Sequence, residues 1–269
     1  MFYVLECRAE QCTAEFYIND IPVIRRGPDI GDAFGGPVNF FMVDGVNTLD
    51  ILVHPGPTPA EAVSGPGGNR YRMVPEKGAA ASAALAAYPK GAVLEGPDRE
   101  EIVSVEWKAG EGACVFPTTK GVRIDLGDLY GRWKWQDAEP LDPDAGAFDE
   151  ARDFVIGIHS SLAIGDFDRY VDLGVSRSEE ADRAYGKPAG ATAGTLRGMK
   201  AYCADDPAWG LQMLNPDEFS FRLCGENRVV DCLSKTWKPV LEELPDMEGS
   251  VSRYPIMISR IDGEWEIVR

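Results

Sequence analysis

The first half of the chain alternates apolar and polar residues with the two-residue period of β-strands. Short segments rich in β-branched and aromatic side chains are separated by Gly, Pro and Asp. In the clearest of them, Leu49, Ile51 and Val53 share one face. We predict strands at residues 1–7, 13–18, 37–43, 48–54, 102–107, 122–126 and 130–135. Many short strands without long helices between them favour a sandwich or a barrel.

Turns and one long insertion separate these strands. Asn19-Asp20 is a tight-turn sequence, as is the segment 44–47. Residues 55–101 form the insertion, in which the Ala-rich stretch 78–88 predicts a short helix. Loops of this length are usually functional or mobile, so Arg70, Tyr71 and Arg72 are candidates for contacting an anion or a sugar. The alternative is an ordinary solvated loop.

After residue 146 the apolar period lengthens to about 3.6 residues, which indicates helices. We predict a first helix at 148–164, a second at 167–173 with Asp166 as its N-cap, and a third at 179–185 that could continue over 195–203. Two hairpins follow, 219–224 with 228–233 and 253–261 with 264–269. Asp262-Gly263, a strong hairpin signal, joins the strands of the second.

These patterns predict two domains. Residues 1–137 form an all-β sandwich that carries the 55–101 insertion, and the acidic, Pro-rich segment 138–146 is a linker. Residues 147–269 form an α+β domain with helices packed on a curved antiparallel sheet.

Each half resembles a known fold family. Residues 39–41 (Asn-Phe-Phe) and 45–51 (Gly-Val-Asn-Thr-Leu-Asp-Ile) resemble a hairpin of jelly-roll β-sandwich modules of carbohydrate-associated proteins. Residues 161–170 (Ser-Leu-Ala-Ile-Gly-Asp-Phe-Asp-Arg-Tyr) and 262–267 (Asp-Gly-Glu-Trp-Glu-Ile) resemble the NTF2-like, cystatin-like α+β cone superfamily. The Gly-rich segment 186–198 departs from a compact member of that superfamily. The second resemblance implies a cone with an apolar pocket, and it implies that a homodimer can form through an exposed sheet face.

The charge balance argues against nucleic acid as a partner. The chain has 27 basic and 44 acidic residues and a net charge of −17, without a basic stripe to neutralise phosphates. An acidic surface suits solubility, repulsion from anionic membranes or docking of a basic protein. We therefore expect no nucleic-acid and no membrane partner.

The N-terminal residues and the cysteines indicate the compartment. The first seven residues lack the basic and apolar regions of a secretory signal, and no apolar run approaches the length of a bilayer span. We therefore expect a cytoplasmic protein with reduced thiols. The cysteines are Cys7, Cys12, Cys114, Cys203, Cys224 and Cys232.

The resemblance to the NTF2-like cone implies a set of catalytic candidates, because some members of that superfamily carry out acid/base chemistry inside the cone. The candidates are His159, Asp166, Asp168 and Tyr170. A histidine beside a carboxylate can transfer protons at neutral pH. The alternative gives them structural roles, with His159 bonded to a backbone carbonyl and Asp166 capping a helix.

Two other groups of residues are candidates for binding a ligand or a metal ion. Trp133 and Trp135, if they share a strand face, could form an aromatic platform, and we favour a role in sealing an interdomain contact. Cys224 and Cys232 flank a hairpin and could face each other as small core residues. Their spacing does not suit zinc. We expect no metal and no cofactor.

Two functions from different classes follow. The first is a non-catalytic binding or interaction protein that presents an acidic surface or a modest pocket to a basic protein or a small-molecule ligand. The second is a small-molecule enzyme of the isomerase, dehydratase or hydrolase type that uses the C-terminal cone pocket. The sequence lacks a phosphate loop, a nucleophile elbow and a zinc helix, and this favours the first.

Overall fold

The computed structural model describes residues 1–28, 30–54, 71–92, 96–142, 146–205, 209–235, 237–245 and 249–269. Antiparallel sheets dominate it, and its described α-helices lie in the C-terminal half. Internal contacts divide the chain into two compact units, Met1–Arg132 and Trp133–Arg269. We call them the N-terminal unit and the C-terminal unit.

The described secondary structure of the N-terminal unit is mostly β-strand. The described strands are β1 (Phe2–Glu10), β2 (Thr13–Ile18), β3 (Ile21–Arg26), β4 (Ala33–Pro37), β5 (Val46–His54), β6 (Tyr71–Met73), β7 (Ala80–Tyr88), β8 (Glu100–Lys108), β9 (Cys114–Phe116) and β10 (Thr118–Asp125). The first sheet has the order β4-β1-β7-β8 and the second sheet the order β10-β5-β2-β3. Each neighbouring pair in both sheets is antiparallel. A short ladder pairs β6 with β9.

The two sheets of the N-terminal unit share one hydrophobic core. Alternate residues of β1 and β7 from the first sheet pack there with alternate residues of β2 and β5 from the second. Leu5, Phe16 and Ile51 have no exposed surface. The predicted alternation of Leu49, Ile51 and Val53 is therefore confirmed, and it directs these side chains inward.

The Ala-rich stretch is the largest correction to the predicted elements, because residues 80–88 form strand β7 and not a helix. β7 lies in the interior of the first sheet, hydrogen-bonded to β1 on one side and β8 on the other. Ala81, Ala83 and Leu85 face the core. The helix propensity of alanine is a weak preference, and pairing on both edges together with burial of one face overrides it.

Two further strand predictions were wrong. The first was the strand at residues 37–43. Strand β4 ends at Pro37, and a short 3-10 helix covers Asn39–Phe41. Asn39 is buried and its side chain accepts a hydrogen bond from the backbone of Tyr3 at 2.8 Å, which stabilises this non-strand conformation. Residues 130–135 contain no strand, and a 3-10 helix covers Lys134–Asp137.

The C-terminal unit combines helices with strands. Those described are α1 (Ala147–Ala163), α2 (Phe167–Asp172), α3 (Val175–Tyr185), α4 (Ala191–Asp205), β11 (Phe219–Cys224), β12 (Val229–Ser234), β13 (Leu241–Glu242), β14 (Arg253–Tyr254), β15 (Met257–Ile261) and β16 (Glu264–Ile267). A four-stranded antiparallel sheet has the order β11-β12-β15-β16, and β13 pairs with β14. The first predicted hairpin is confirmed. The second forms between β15 and β16, with Asp262 and Gly263 in its turn at φ 52° and 85°. Its predicted first strand, 253–261, is divided, because β14 pairs with β13 instead.

The predicted helices are largely confirmed. α1 lies within one residue of its predicted bounds, and the Asp166 side chain caps α2 by accepting from the backbone of Arg169 at 3.2 Å. Gly186, in the left-handed conformation at φ 60°, ends α3, so α4 is a separate helix. Val155 and Ile158 on the buried face of α1 pack in one core with the four-stranded sheet.

A buried ion pair stabilises the beginning and the end of the C-terminal unit. Arg269 Nη1 donates to Glu180 Oε2 at 2.9 Å, and the two side chains are 2% and 8% exposed. Glu180 Oε1 also accepts from the backbone of Lys134 at 2.6 Å. The Arg269 guanidinium lies 5.4 Å from the ring centroid of Trp133 and 5.9 Å from that of Trp135. Both tryptophans are buried, so the exposed aromatic platform is ruled out, and the interdomain seal stays a prediction.

Among the described residues, no helix has both the length and the apolar character that crossing a bilayer requires.

Candidate functional site

An open cleft of about 820 Å³ lies on the outward side of the first sheet. We call it the first-sheet cleft. It is lined by Glu6, Cys7, Arg8, Ala33, Phe34, Gly35, Ser82, Ala83, Ala84, Arg99, Ser104, Val105 and Glu106. Sites for small molecules typically have volumes of about 300–1,000 Å³. The cleft is therefore large enough for a small ligand.

Strand alternation places polar side chains in the first-sheet cleft. Because Leu5 and Cys7 of β1 face the core, Glu6 and Arg8 point to the other side. In the register of the sheet, Ala84 of β7 lies between Glu6 of β1 and Ser104 of β8.

Small residues form the floor of the cleft. Ser82 and Ala84 follow each other on the outward face of β7, and Gly35 of β4 lies opposite Glu6. Larger side chains at these positions would fill the space above the sheet. The Ala-rich composition of β7 thus produces the concavity.

A half-buried ion pair forms one wall of the cleft. Arg99 Nε and Nη2 donate to the Glu6 carboxylate at 2.8–3.0 Å, and the side chains are 30% and 28% exposed. The Tyr88 hydroxyl donates to Glu6 Oε1 at 2.8 Å, and Arg99 Nη2 also donates to Glu101 Oε2 at 3.1 Å. Two parallel bonds from one guanidinium fix both groups in orientation.

The wall network perturbs the protonation of its members. The hydrogen bond from Arg99 is the main cause that lowers the pKa of Glu6, against the opposing effect of burial. The hydrogen bond from Ser104, followed by that from Arg99, lowers the pKa of Glu101. The hydrogen bond to Glu6 is the main cause that raises the pKa of Arg99. All three groups are therefore charged at neutral pH, and none is poised to transfer a proton.

Exposed ion pairs form the opposite end of the cleft. Arg8 Nε lies 2.9 Å from Glu10, and its Nη2 lies 3.5 Å from Asp32. Glu106 pairs with Lys108 at 2.8 Å. These pairs contribute little stability because solvent screens them, and they place charges of both signs along the cleft.

The residues predicted as catalytic candidates have other partners. His159 Nε2 lies 2.9 Å from the backbone oxygen of Gln212, and Asp166 caps α2. Asp168 is exposed, with its carboxylate 3.6 Å from Arg197 Nε.

Tyr170 is the buried member of this set. Its hydroxyl accepts from Arg177 Nη1 at 3.0 Å, and the guanidinium of Arg177 lies 5.1 Å from the ring centroid. Tyr170 lines a cavity of only about 20 Å³ with Leu162, Phe167, Leu196, Met199 and Tyr254. A water molecule needs about 10–15 Å³, so this cavity has no room for a substrate.

Of the three predicted loop residues, two lie in the described part of the chain. Arg70 lies outside the described residues. Tyr71 begins β6, where its backbone pairs with Phe116, and Arg72 is exposed on the same strand. Arg72 is not among the residues that line the first-sheet cleft.

The cysteines are free thiols. Cys224 and Cys232 do not face each other, because Cys224 pairs with Val229 and Cys232 with Phe221. Burial raises the pKa of Cys7 to about 12, that of Cys12 to about 11, and that of Cys232 well above its usual value. In the described part of the chain, no three His, Cys, Asp or Glu side chains are grouped to hold a metal ion.

A second polar cluster lies on the outward side of the second sheet. The buried Glu15 carboxylate accepts from Arg25 at 3.1 and 3.2 Å and from the Tyr17 hydroxyl, and it lies 3.3 Å from His54 Nε2. Sequence reasoning did not select these residues. The signal was present, since Glu15 and Tyr17 alternate with the core residues Ala14 and Phe16.

The residues of the first-sheet cleft were also missed. A carboxylate within an apolar strand, as at Glu6, was the available signal, but Arg99 lies 93 residues away in the sequence and only the fold brings it near. Comparison with known proteins adds no family or relative. No family model, curated protein or solved structure matches this chain.

Proposed function

We propose that this chain is a non-catalytic binding protein and that the first-sheet cleft is its ligand site. The observation that carries the proposal is the combination of an open cleft of about 820 Å³ with the fixed Glu6–Arg99 pair in its wall. The small residues of the floor leave room for a ligand above the sheet, and the oriented charged groups of the wall supply hydrogen bonds of defined direction.

We also propose the finer architecture that the sequence predicts. The N-terminal unit is a β-sandwich of the jelly-roll type, which the core shared by its two sheets supports. The C-terminal unit is an NTF2-like α+β domain, which the packing of α1 on the four-stranded sheet supports. The domain boundaries, the cytoplasmic location and a homodimer stay predictions.

Binding is favoured over catalysis for two reasons. The ionised groups in the first-sheet cleft hold each other in their charged forms. In the C-terminal unit, the cavity beside Tyr170 is too small for a substrate. A small ligand is favoured over a basic protein because the cleft is lined by paired charges of both signs.

The test blocks the cleft with one substitution. Ala84→Trp fills the floor, and Thr119→Trp, at an exposed position of β10, is the matched control. Thermal-shift and calorimetric titrations would use a neutral, an anionic and a cationic probe: maltohexaose, a hexameric uronic acid and hexalysine. We expect at least one probe to bind the wild type and Thr119→Trp but not Ala84→Trp. Equal binding by all three proteins, or by none, contradicts the proposal.

A further inference from the structure

The first-sheet cleft also carries information about the class of its ligand, and this step rests on the proposed function. We infer that the ligand is uncharged and rich in hydroxyl groups, such as a neutral oligosaccharide. Three features lead to this class: the balance of charge, the hydrogen-bonding atoms left over, and the shape of the floor.

The cationic groups in the cleft are already neutralised. The two guanidiniums, Arg8 and Arg99, each lie within 3.5 Å of two carboxylates. The carboxylates are Glu6 and Glu101 around Arg99, and Glu10 and Asp32 around Arg8. An anionic ligand would meet more negative than positive charge, and like charges repel. A cationic ligand would have to compete with each guanidinium for its carboxylates.

Hydrogen-bonding capacity remains after these pairs are formed. Arg99 uses Nε and Nη2 for its two carboxylates, and its Nη1 has no hydrogen-bond partner among the described residues. The half-buried Ser82 hydroxyl also has none within the described ranges. Ser104 donates to Glu101 at 2.9 Å and keeps its acceptor positions. Donors and acceptors that no ion pair uses therefore remain along the cleft.

Such an array matches hydroxyl groups. A hydroxyl donates one hydrogen bond and accepts up to two, so it can bond Arg99 Nη1 on one side and Ser82 or Ser104 on another. Ala84 carries only a methyl group between Glu6 and Ser104, which leaves space for a ring over this part of the sheet. Affinity for such a ligand comes from directional bonds and not from net charge, so it should depend little on salt.

The experiment compares ligand classes and variants on the intact chain. A glycan array carrying neutral, uronic-acid, sulfated and amino-sugar oligosaccharides identifies the class, and calorimetry measures affinity at about 0.05 and 0.5 M salt. The variants are Ser82→Ala and Arg99→Lys, with Thr119→Ala on β10 as the control. Circular dichroism checks that each variant is folded.

We expect neutral glycans to bind, with affinity changing less than about twofold between the two salt concentrations. Ser82→Ala should weaken binding about 3- to 10-fold, since it removes one hydrogen bond. Arg99→Lys should weaken it about tenfold or more because lysine cannot form the fork, while Thr119→Ala should have no effect. Binding of only charged glycans or hexalysine at the cleft would overturn this inference and keep the proposed function. Binding that ignores Ala84→Trp, or no binding at all, would overturn both.

Discussion

The buried Glu180–Arg269 pair gives the sharpest prediction for stability. Burial lowers the pKa of Arg269 to about 10, and the Glu180 charge opposes that effect. Glu180→Gln removes the charge and leaves the side chain nearly the same size. A guanidinium that is only 2% exposed would then lack the Glu180 carboxylate.

The magnitude follows from the burial of both groups. Breaking a buried pair by removing one partner costs about 3–5 kcal/mol. Domains are typically stable by only about 5–15 kcal/mol, so the variant should lose a large part of its stability. For a unit of this size the loss corresponds to a fall in Tm of roughly 10–20 °C. The double variant Glu180→Gln, Arg269→Met removes both charges, keeps an acceptor for the Lys134 backbone, and should recover to within about 1 kcal/mol of the wild type or exceed it.

The assay is urea unfolding followed by tryptophan fluorescence. Trp133 and Trp135 contact Arg269 and so report on this region. Glu179→Gln is the matched control, because the adjacent Glu179 is exposed on the same helix; it should stay within about 0.5 kcal/mol of the wild type. A Glu180→Gln variant that unfolds at the wild-type midpoint, or a double variant no more stable than the single one, would contradict this prediction.

Three further predictions follow from groups in the N-terminal unit. The hydrogen bond from Arg99 lowers the pKa of Glu6 in the folded protein. The ionised Glu6 side chain therefore stabilises the fold above its unfolded pKa of about 4.3, and this stabilisation is lost as the pH falls through the folded pKa. Glu6→Gln should therefore lose less stability than the wild type between about pH 5 and 3 in thermal melts, and parallel curves would contradict this. Native protein should react with a thiol reagent first at the half-exposed Cys114, and Cys114→Ser should remove the fast phase; a fast phase that persists would show that another thiol is accessible. Ala83→Leu should cost about 1–3 kcal/mol in urea unfolding by overpacking the core, and a neutral result would show that the core can accommodate the larger side chain.

Local patterns predict most elements of the C-terminal unit. The helical stripe of α1, the cap at Asp166 and the turn at Asp262-Gly263 are each decided by residues close together in the sequence, and each is confirmed. The strand at Thr13–Ile18 is confirmed with its predicted bounds for the same reason.

The cleft could not be predicted because it depends on contacts distant in sequence. β7 has a helix-forming composition, and only its pairing with β1 and β8 makes it a strand. If β7 is assigned as a helix, the sequence does not predict that Ser82 and Ala84 form the floor of a cleft. The resemblance to the NTF2-like cone made His159 a catalytic candidate, whereas its ring nitrogen contacts a backbone oxygen, as the structural alternative expected; only the fold identifies that partner, 53 residues along the chain.

The most direct measurement is a two-dimensional NMR titration of the isotope-labelled chain with a neutral oligosaccharide found on the array. We expect changes in backbone amide chemical shift to concentrate on β1, β7 and β8, with the largest around Ser82 and Ser104. The side-chain Nε–H signal of Arg99 should also shift. Shifts confined to the C-terminal unit, or spread evenly over both units, would show that the ligand site is not on the first sheet.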